Sequence, residues 1–178
     1  MTQQPIDYIL NKRNESAIIL RGGIVMSSLG LSYKFIASNI EGASSQQELF
    51  ECISNELILG GYVKDSFKQA LIEREQEHPT GLLMEDCSIA IPHTETEHIN
   101  HSIISVIKLN SDITFQLMEN KQKSIYPDIV FVLALKDSSA HLNVLKGVME
   151  LFRDNQKKNL VLKAQSAKEI VSLIDTWN

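Results

Sequence analysis

Cysteine is scarce in this chain: Cys52 and Cys87 are the only two in 178 residues. Two thiols cannot supply a disulfide framework for a chain of this length, and they read as reduced thiols of a cytosolic protein. Long apolar runs are missing too. The most suggestive stretch, Ala17-Ile18-Ile19-Leu20, is cut by Arg21-Gly22-Gly23 before Ile24-Val25-Met26. A secretory core needs roughly 7–15 uninterrupted apolar residues and a membrane helix about 20, so the expected location is the cytoplasm. No segment is densely basic and the net charge is −5. Nucleic acid is therefore excluded as a partner, because phosphate backbones are held by Lys and Arg fields. There is no internal repeat and no low-complexity linker. What is present is ordinary for a soluble globular protein: 43% hydrophobic and 22% charged residues, enough for one domain with a real core.

Residues 1–30 fit no clear pattern and are expected to be an N-terminal extension, either packed on the domain or on a second copy, or a loosely ordered tail. The domain proper is expected over residues 31–178. Tyr33 to Ile40 can supply a short strand. Ser45 and Glu48 form a capping box, Leu49, Ile53 and Leu57 follow on one helical face, and Gly60-Gly61 ends the helix. Asp65 is the expected cap of a second helix, with Phe67, Ala70 and Leu71 apolar, Arg74 on the same core-facing stripe and Pro79 as the stop. The period then changes. Ser88–Ile91, Ile103–Leu109, Ile113–Leu117 and Ile129–Leu135 are strand candidates, the last apolar on both faces. Leu142, Leu145, Val148, Met149 and Phe152 form a helical stripe, and Ser166 and Glu169 cap a last helix with Ile170, Leu173 and Ile174. Helices, strands, then helices predict an α/β three-layer sandwich with a central mixed sheet.

Five histidines carry the candidate chemistry: His78, His93, His98, His101 and His141. Three crowd into 93–101, which invites a metal, but the spacing matches neither His-x-x-Glu-His nor His-Glu-x-x-His, and no cysteines follow at structural-zinc spacing. No metal is expected there. His98 and His101 read as solvated and His78 as a loop residue. His93 follows a short apolar strand and Pro92, a position where loops build active sites. On spacing alone it can equally be a sheet-rim histidine without a task. A histidine-dependent hydrolase is disfavoured, since no Gly-x-Ser-x-Gly elbow or paired catalytic carboxylates are present.

The ordered set Arg74-Glu75, Pro79-Thr80-Gly81 and Ala90-Ile91-Pro92-His93 resembles the enzyme IIA components of the bacterial phosphoenolpyruvate-dependent sugar phosphotransferase system, the fructose/mannitol-type superfamily. The thirteen positions from Thr80 to His93 resemble the galactitol-type branch more than the mannitol-type one. The resemblance runs from about Tyr33 to the C-terminus. Where family members often have Gly-Asn-Gly before the strand, this chain has Glu85-Asp86-Cys87-Ser88.

That resemblance implies a phosphocarrier. His93 would be the phosphohistidine, Arg74 and His141 the phosphoryl-binding residues, phospho-HPr the donor, and a cysteine of a IIB component the acceptor, for uptake of a sugar or polyol. The membrane would be reached only through the permease. The alternative is a IIA-like regulatory domain whose His93 phosphorylation state signals to a regulator. No metal or other cofactor is implied, because the group moves between protein side chains. From the residues alone, Arg74 can also be a surface ion-pair partner of Glu73, Glu75 or Glu77, and His141 a plain helix-start residue. Cys87 leads into a strand and not into a helix-opening loop that cradles phosphate, so it reads as structural.

Overall fold

Ile103–Lys108 and Ile129–Ala134 are strands covered on both faces, and the rest of the chain is what covers them. The structure, a computed structural model, describes residues 24–26, 32–38, 40 and 42–176. In chain order the first half contains β1 (Ile24–Met26), β2 (Ser32–Ala37), α1 (Gln46–Leu59), α2 (Phe67–Glu77), β3 (Gly81–Leu83) and β4 (Ser88–Ala90). The second half adds β5 (Ile103–Lys108), β6 (Phe115–Leu117), β7 (Asn120–Ile125), β8 (Ile129–Ala134), α3 (Ser138–Arg153), α4 (Asn155–Lys163) and α5 (Ala167–Thr176). A short 3-10 turn, Thr96–His98, lies between β4 and β5. Of the expected N-terminal extension, only 24–26 is described, as β1 paired to β2.

The sheet is eight-stranded and mixed, in the order β1-β2-β5-β8-β4-β3-β6-β7. Successive side chains of a strand face opposite ways, and two cores follow from that. Ile103, Ile107, Val130 and Val132 meet Leu49, Phe50, Ile53 and Leu57 of α1 and Phe67 and Leu71 of α2. Ile104, Val106, Phe131 and Leu133 meet Val144, Val148 and Phe152 of α3, Val161 of α4 and Ile170 and Val171 of α5. Each fully buried Ile, Leu or Phe contributes about 1.5–3 kcal/mol. This is the three-layer α/β sandwich that the sequence predicts.

Local chemistry sets the helix ends. Ser45 caps α1 by accepting the Glu48 N–H at 3.2 Å. The Glu48 carboxylate reaches one residue further back than a capping box requires, to the N–H and hydroxyl of Ser44, both at 2.8 Å. The same variation recurs at α5, where Ser166 accepts from Glu169 N–H and Glu169 accepts from Gln165 N–H at 2.8 Å. Gly61 closes α1 at φ 73°, a conformation that favours glycine. Asp65, the expected cap of α2, is displaced by Ser66, which makes no side-chain cap.

Two further expectations are corrected. The buried stripe of α3 runs through Ala140, Val144, Val148 and Phe152, leaving Leu142 57% exposed. Four strands and helices have no counterpart in the sequence reading: β1, β3, the polar edge strand β7, and α4, which Asp154 caps by accepting from Gln156 and Lys157 N–H.

Candidate functional site

Three segments reach one end of the sheet because the topology sends them there. β4 and β8 are parallel neighbours, so their C-terminal ends emerge side by side, β4 into Ile91-Pro92-His93 and β8 into the turn before α3. β3 runs antiparallel to β4, with Gly81 opposite Ala90, so the end of α2 and the Pro79-Thr80 connection arrive at the same place. The pairing continues past β4. Leu133 donates its N–H to the Pro92 carbonyl at 2.9 Å, and His93 bridges to Leu133. Pro92 has no N–H to leave unpaired at this point.

His93 is half-buried, and its Nδ1 lies 2.9 Å from the Ile91 carbonyl oxygen. A carbonyl only accepts, so Nδ1 carries the proton and Nε2 keeps the lone pair. Burial lowers the His93 pKa from its ordinary 6.5, and the Arg74 and His141 charges push the same way, against the Ile91 bond and Glu95. The ring is therefore neutral at neutral pH.

His141 stands in the first turn of α3, its ring centroid 5.5 Å from that of His93 and the planes tilted by 53°. The ring donates to backbone carbonyls at Asp137 and Ser138. Its Nε2 is buried with no hydrogen-bond partner, so the donating nitrogen is Nδ1. Burial lowers this pKa also, opposed by those hydrogen bonds and by the Glu95 and Asp137 carboxylates. An orphaned buried nitrogen is costly unless a ligand completes it. The ring that carries it lies beside that of His93.

Arg74 does not point into the core as its stripe suggested. It is half-buried, and the buried position of that turn is Glu75, 3% exposed. Among the described residues Arg74 makes no ion pair with Glu73, Glu75 or Glu77. Its Nη1 lies 3.5 Å from the His78 carbonyl, and its charge is felt at His93. The fold thus brings His93, Arg74 and His141 together from three elements.

Glu75 and Thr80 belong to the same region without having been assigned a part in it. The Glu75 carboxylate accepts the Thr80 N–H at 3.0 Å and the Thr80 hydroxyl at 2.8 Å. The only signal in the sequence is their presence in the motif set, since no spacing rule pairs a helix glutamate with a threonine five residues on.

The remaining histidines lie apart. His98 is not solvated as expected: its Nδ1 is 2.9 Å from Ser66 Oγ and its Nε2 3.4 Å from Glu97, tying the 3-10 turn to the start of α2. His101 is exposed, and His78 is the exposed C-cap of α2. Among the described residues no three His, Cys, Asp or Glu side chains form a metal-holding group. Cys87 is buried just before β4, and burial raises its pKa. No helix of the described residues is long and apolar enough to cross a membrane.

One sheet end thus holds a His93 imidazole tied at Nδ1, the charge of Arg74 and a second imidazole whose Nε2 is buried without a partner. The family model for the phosphoenolpyruvate-dependent sugar phosphotransferase system, EIIA 2, matches residues 31–177. The chain belongs to this family, whose members are phosphotransferases of a phosphoryl relay. It is 32% identical over 112 residues to the galactitol-specific EIIA component of Escherichia coli (strain K12), covering 63% of this chain and 73% of that one. It is 25% identical over 138 residues to the mannitol-specific enzyme IIA component of Bacillus subtilis, covering 76% of this chain and 90% of that one. The fold matches the mannitol-specific cryptic enzyme IIA CmtB from Escherichia coli with a TM-score of 0.60 at 20% identity, over 79% of this chain and 92% of that one.

Proposed function

We propose that this protein is a cytoplasmic phosphocarrier that accepts a phosphoryl group from phospho-HPr on His93 and delivers it to a cysteine of a IIB component. The observation that carries the reading is the Ile91 carbonyl holding His93 Nδ1–H at 2.9 Å, which fixes the tautomer and leaves Nε2 as the nucleophile. The Nε2 lone pair attacks phosphorus in line, the phosphorus–nitrogen bond to the donor histidine breaks, and its electron pair stays on the donor ring. In the second half the acceptor thiolate attacks, and the electron pair of the His93–phosphorus bond returns to Nε2.

Catalysis of such a transfer is mainly positioning and charge stabilisation. Arg74 grips two phosphoryl oxygens with its planar fork. His141, with Nδ1 committed to backbone, turns its free Nε2 toward the group. The arriving dianion favours a proton on that nitrogen, which then donates to a phosphoryl oxygen. A IIB partner is supported by a similar fold, 21% identical with a TM-score of 0.59 over 79% of this chain and 97% of that one: the enzyme IIA of the mannitol system, solved in complex with its phosphorylated enzyme IIB from Escherichia coli.

The test is to supply phosphoenolpyruvate, enzyme I and HPr, then map the acid-labile phosphate and chase it with a galactitol-type IIB. Label on His93, lost in His93→Ala and discharged by IIB, is the expected result. Label on another histidine, or none, overturns the reading. Label that no IIB discharges favours the regulatory alternative.

A further inference from the structure

Behind the site lies a buried carboxylate that the transfer chemistry does not use. Glu75 is 3% exposed and Thr80 1% exposed, on opposite sides of the connection between α2 and β3. Both Glu75 oxygens accept from Thr80, Oε1 from its N–H and Oε2 from its hydroxyl, and Gln46 Nε2 is a further donor to Oε1 at 3.5 Å. Thr80 is in turn joined to the nucleophile's strand. Its carbonyl accepts the Ile91 N–H at 3.3 Å, and the Ile91 carbonyl accepts His93 Nδ1–H at 2.9 Å. The next residue, Gly81, is packed so closely on β6 that an added Cβ would lie 2.5 Å from the Gln116 carbonyl oxygen, so the connection has little room to drift. On the other side, Glu75 adjoins Arg74 in α2.

We infer that Glu75 is a positioning residue for phosphoryl transfer, clasping Thr80 so that Arg74 on α2 and the Ile91-bound imidazole of His93 are held in one fixed register. This rests on the phosphocarrier reading above. The clasp is a matter of shape. A glutamine keeps it, because its carbonyl accepts the Thr80 N–H while its amide donates to the Thr80 hydroxyl, which accepts as readily as it donates. Alanine abolishes it and frees the connection. A purely structural glutamate would affect melting alone. A positioning residue also alters the rate per folded molecule and the state of the His93 ring.

The experiment measures single-turnover transfer from phospho-HPr by rapid quench, with circular dichroism to confirm folding and nitrogen-15 NMR of the unphosphorylated protein to read the His93 tautomer. In Glu75→Ala the transfer step should slow by about ten- to a hundredfold, the scale of an ångström-level misplacement, with the donor's half-saturating concentration little changed. The Nδ1–H tautomer of His93 should give way to a mixture. Glu75→Gln should recover the rate to within about threefold and restore the tautomer. If Glu75→Ala does not fold, Thr80→Val takes its place, with a slowing of about three- to tenfold. A folded Glu75→Ala or Thr80→Val with wild-type rate and tautomer overturns the inference alone. Equal losses in Gln and Ala also overturn it, because charge and not position would then be at work. A wild type that takes no label on His93 overturns the phosphocarrier reading and this inference with it.

Discussion

The imidazoles of His93 and His141 stand with centroids 5.5 Å apart, and each is tied through Nδ1 to backbone, His93 to Ile91 and His141 to the turn before α3. Neither tautomer is left to chance. His93 follows β4 and His141 opens the helix after β8, and β4 and β8 are parallel neighbours, so the sheet brings the two carrying segments side by side.

That relationship predicts a proton taken up on phosphorylation. In the unphosphorylated protein burial keeps His141 neutral, its pKa below 6.5. A phosphoryl dianion on His93 Nε2 brings two negative charges to the partnerless His141 Nε2, which favours the imidazolium. The His141 pKa, followed by NMR, should rise by at least one unit on phosphorylation, about 1.4 kcal/mol of differential interaction. An unchanged titration would separate His141 from the phosphoryl group. His141→Ala should still be labelled on His93, with transfer slowed by about tenfold, as the loss of one charge-assisted hydrogen bond implies.

The pH dependence of the nucleophile has a defined sign. His93 must be neutral to attack, and its pKa is lowered from 6.5, chiefly by burial. Phosphoryl acceptance measured at fixed phospho-HPr should be at its plateau at pH 8 and fall on acidification with a midpoint below 6.5. A midpoint above 6.5 would contradict the burial of the ring.

Much of this was legible in the residues. Ser45 and the doubly apolar run Ile129–Ala134 marked the layers, because each is a local pattern with a local cause, while the Ala-Ile-Pro-His93 strand end was singled out only through its place in the motif set. β7 was illegible because Asn-Lys-Gln-Lys-Ser is polar on both faces, as an edge strand with one open side can be. The orientation of α3 failed because Leu142 is apolar yet exposed beside His141. Periodicity reports hydrophobicity and not which stripe the tertiary contacts select. Arg74 and Glu75 exchanged their expected places for the same reason: the buried one is the carboxylate, and its Thr80 partners lie beyond the helix.

Glu56 on α1 predicts a pH-dependent stability unrelated to the site. It is 7% exposed, its Oε1 has no partner, and burial pushes its pKa up to about 7, the Ser38 hydrogen bond opposing. Glu75 is raised to about 7 as well, by burial first. An acid whose folded pKa lies above its unfolded 4.5 favours the folded state fully at low pH, and that contribution is lost as pH rises from 4.5 through about 7. Glu56→Gln should therefore stabilise the protein at pH 8 by about 1–3 kcal/mol and reduce the loss of stability between pH 5 and 7 in urea titrations. Equal urea midpoints for variant and wild type at pH 8 would show the carboxylate to be solvated.

Arg74 separates geometry from charge. Its guanidinium makes no ion pair with the helix glutamates among the described residues, lies 3.5 Å from the His78 carbonyl and acts on His93 through its charge. Lysine at this position keeps the charge and the helix but offers a point ammonium in place of a planar fork. Charge-assisted hydrogen bonds contribute about 1.5–3 kcal/mol, so transfer from phospho-HPr in Arg74→Lys should slow by about ten- to a hundredfold. Lysine should then resemble alanine more than wild type. Were Arg74 only a surface cation, lysine would cost nothing in rate, because exposed charges contribute about 0–1 kcal/mol to stability and nothing to the transfer step. Rapid-quench transfer on the folded variant decides the matter, and a wild-type rate removes Arg74 from the phosphoryl site.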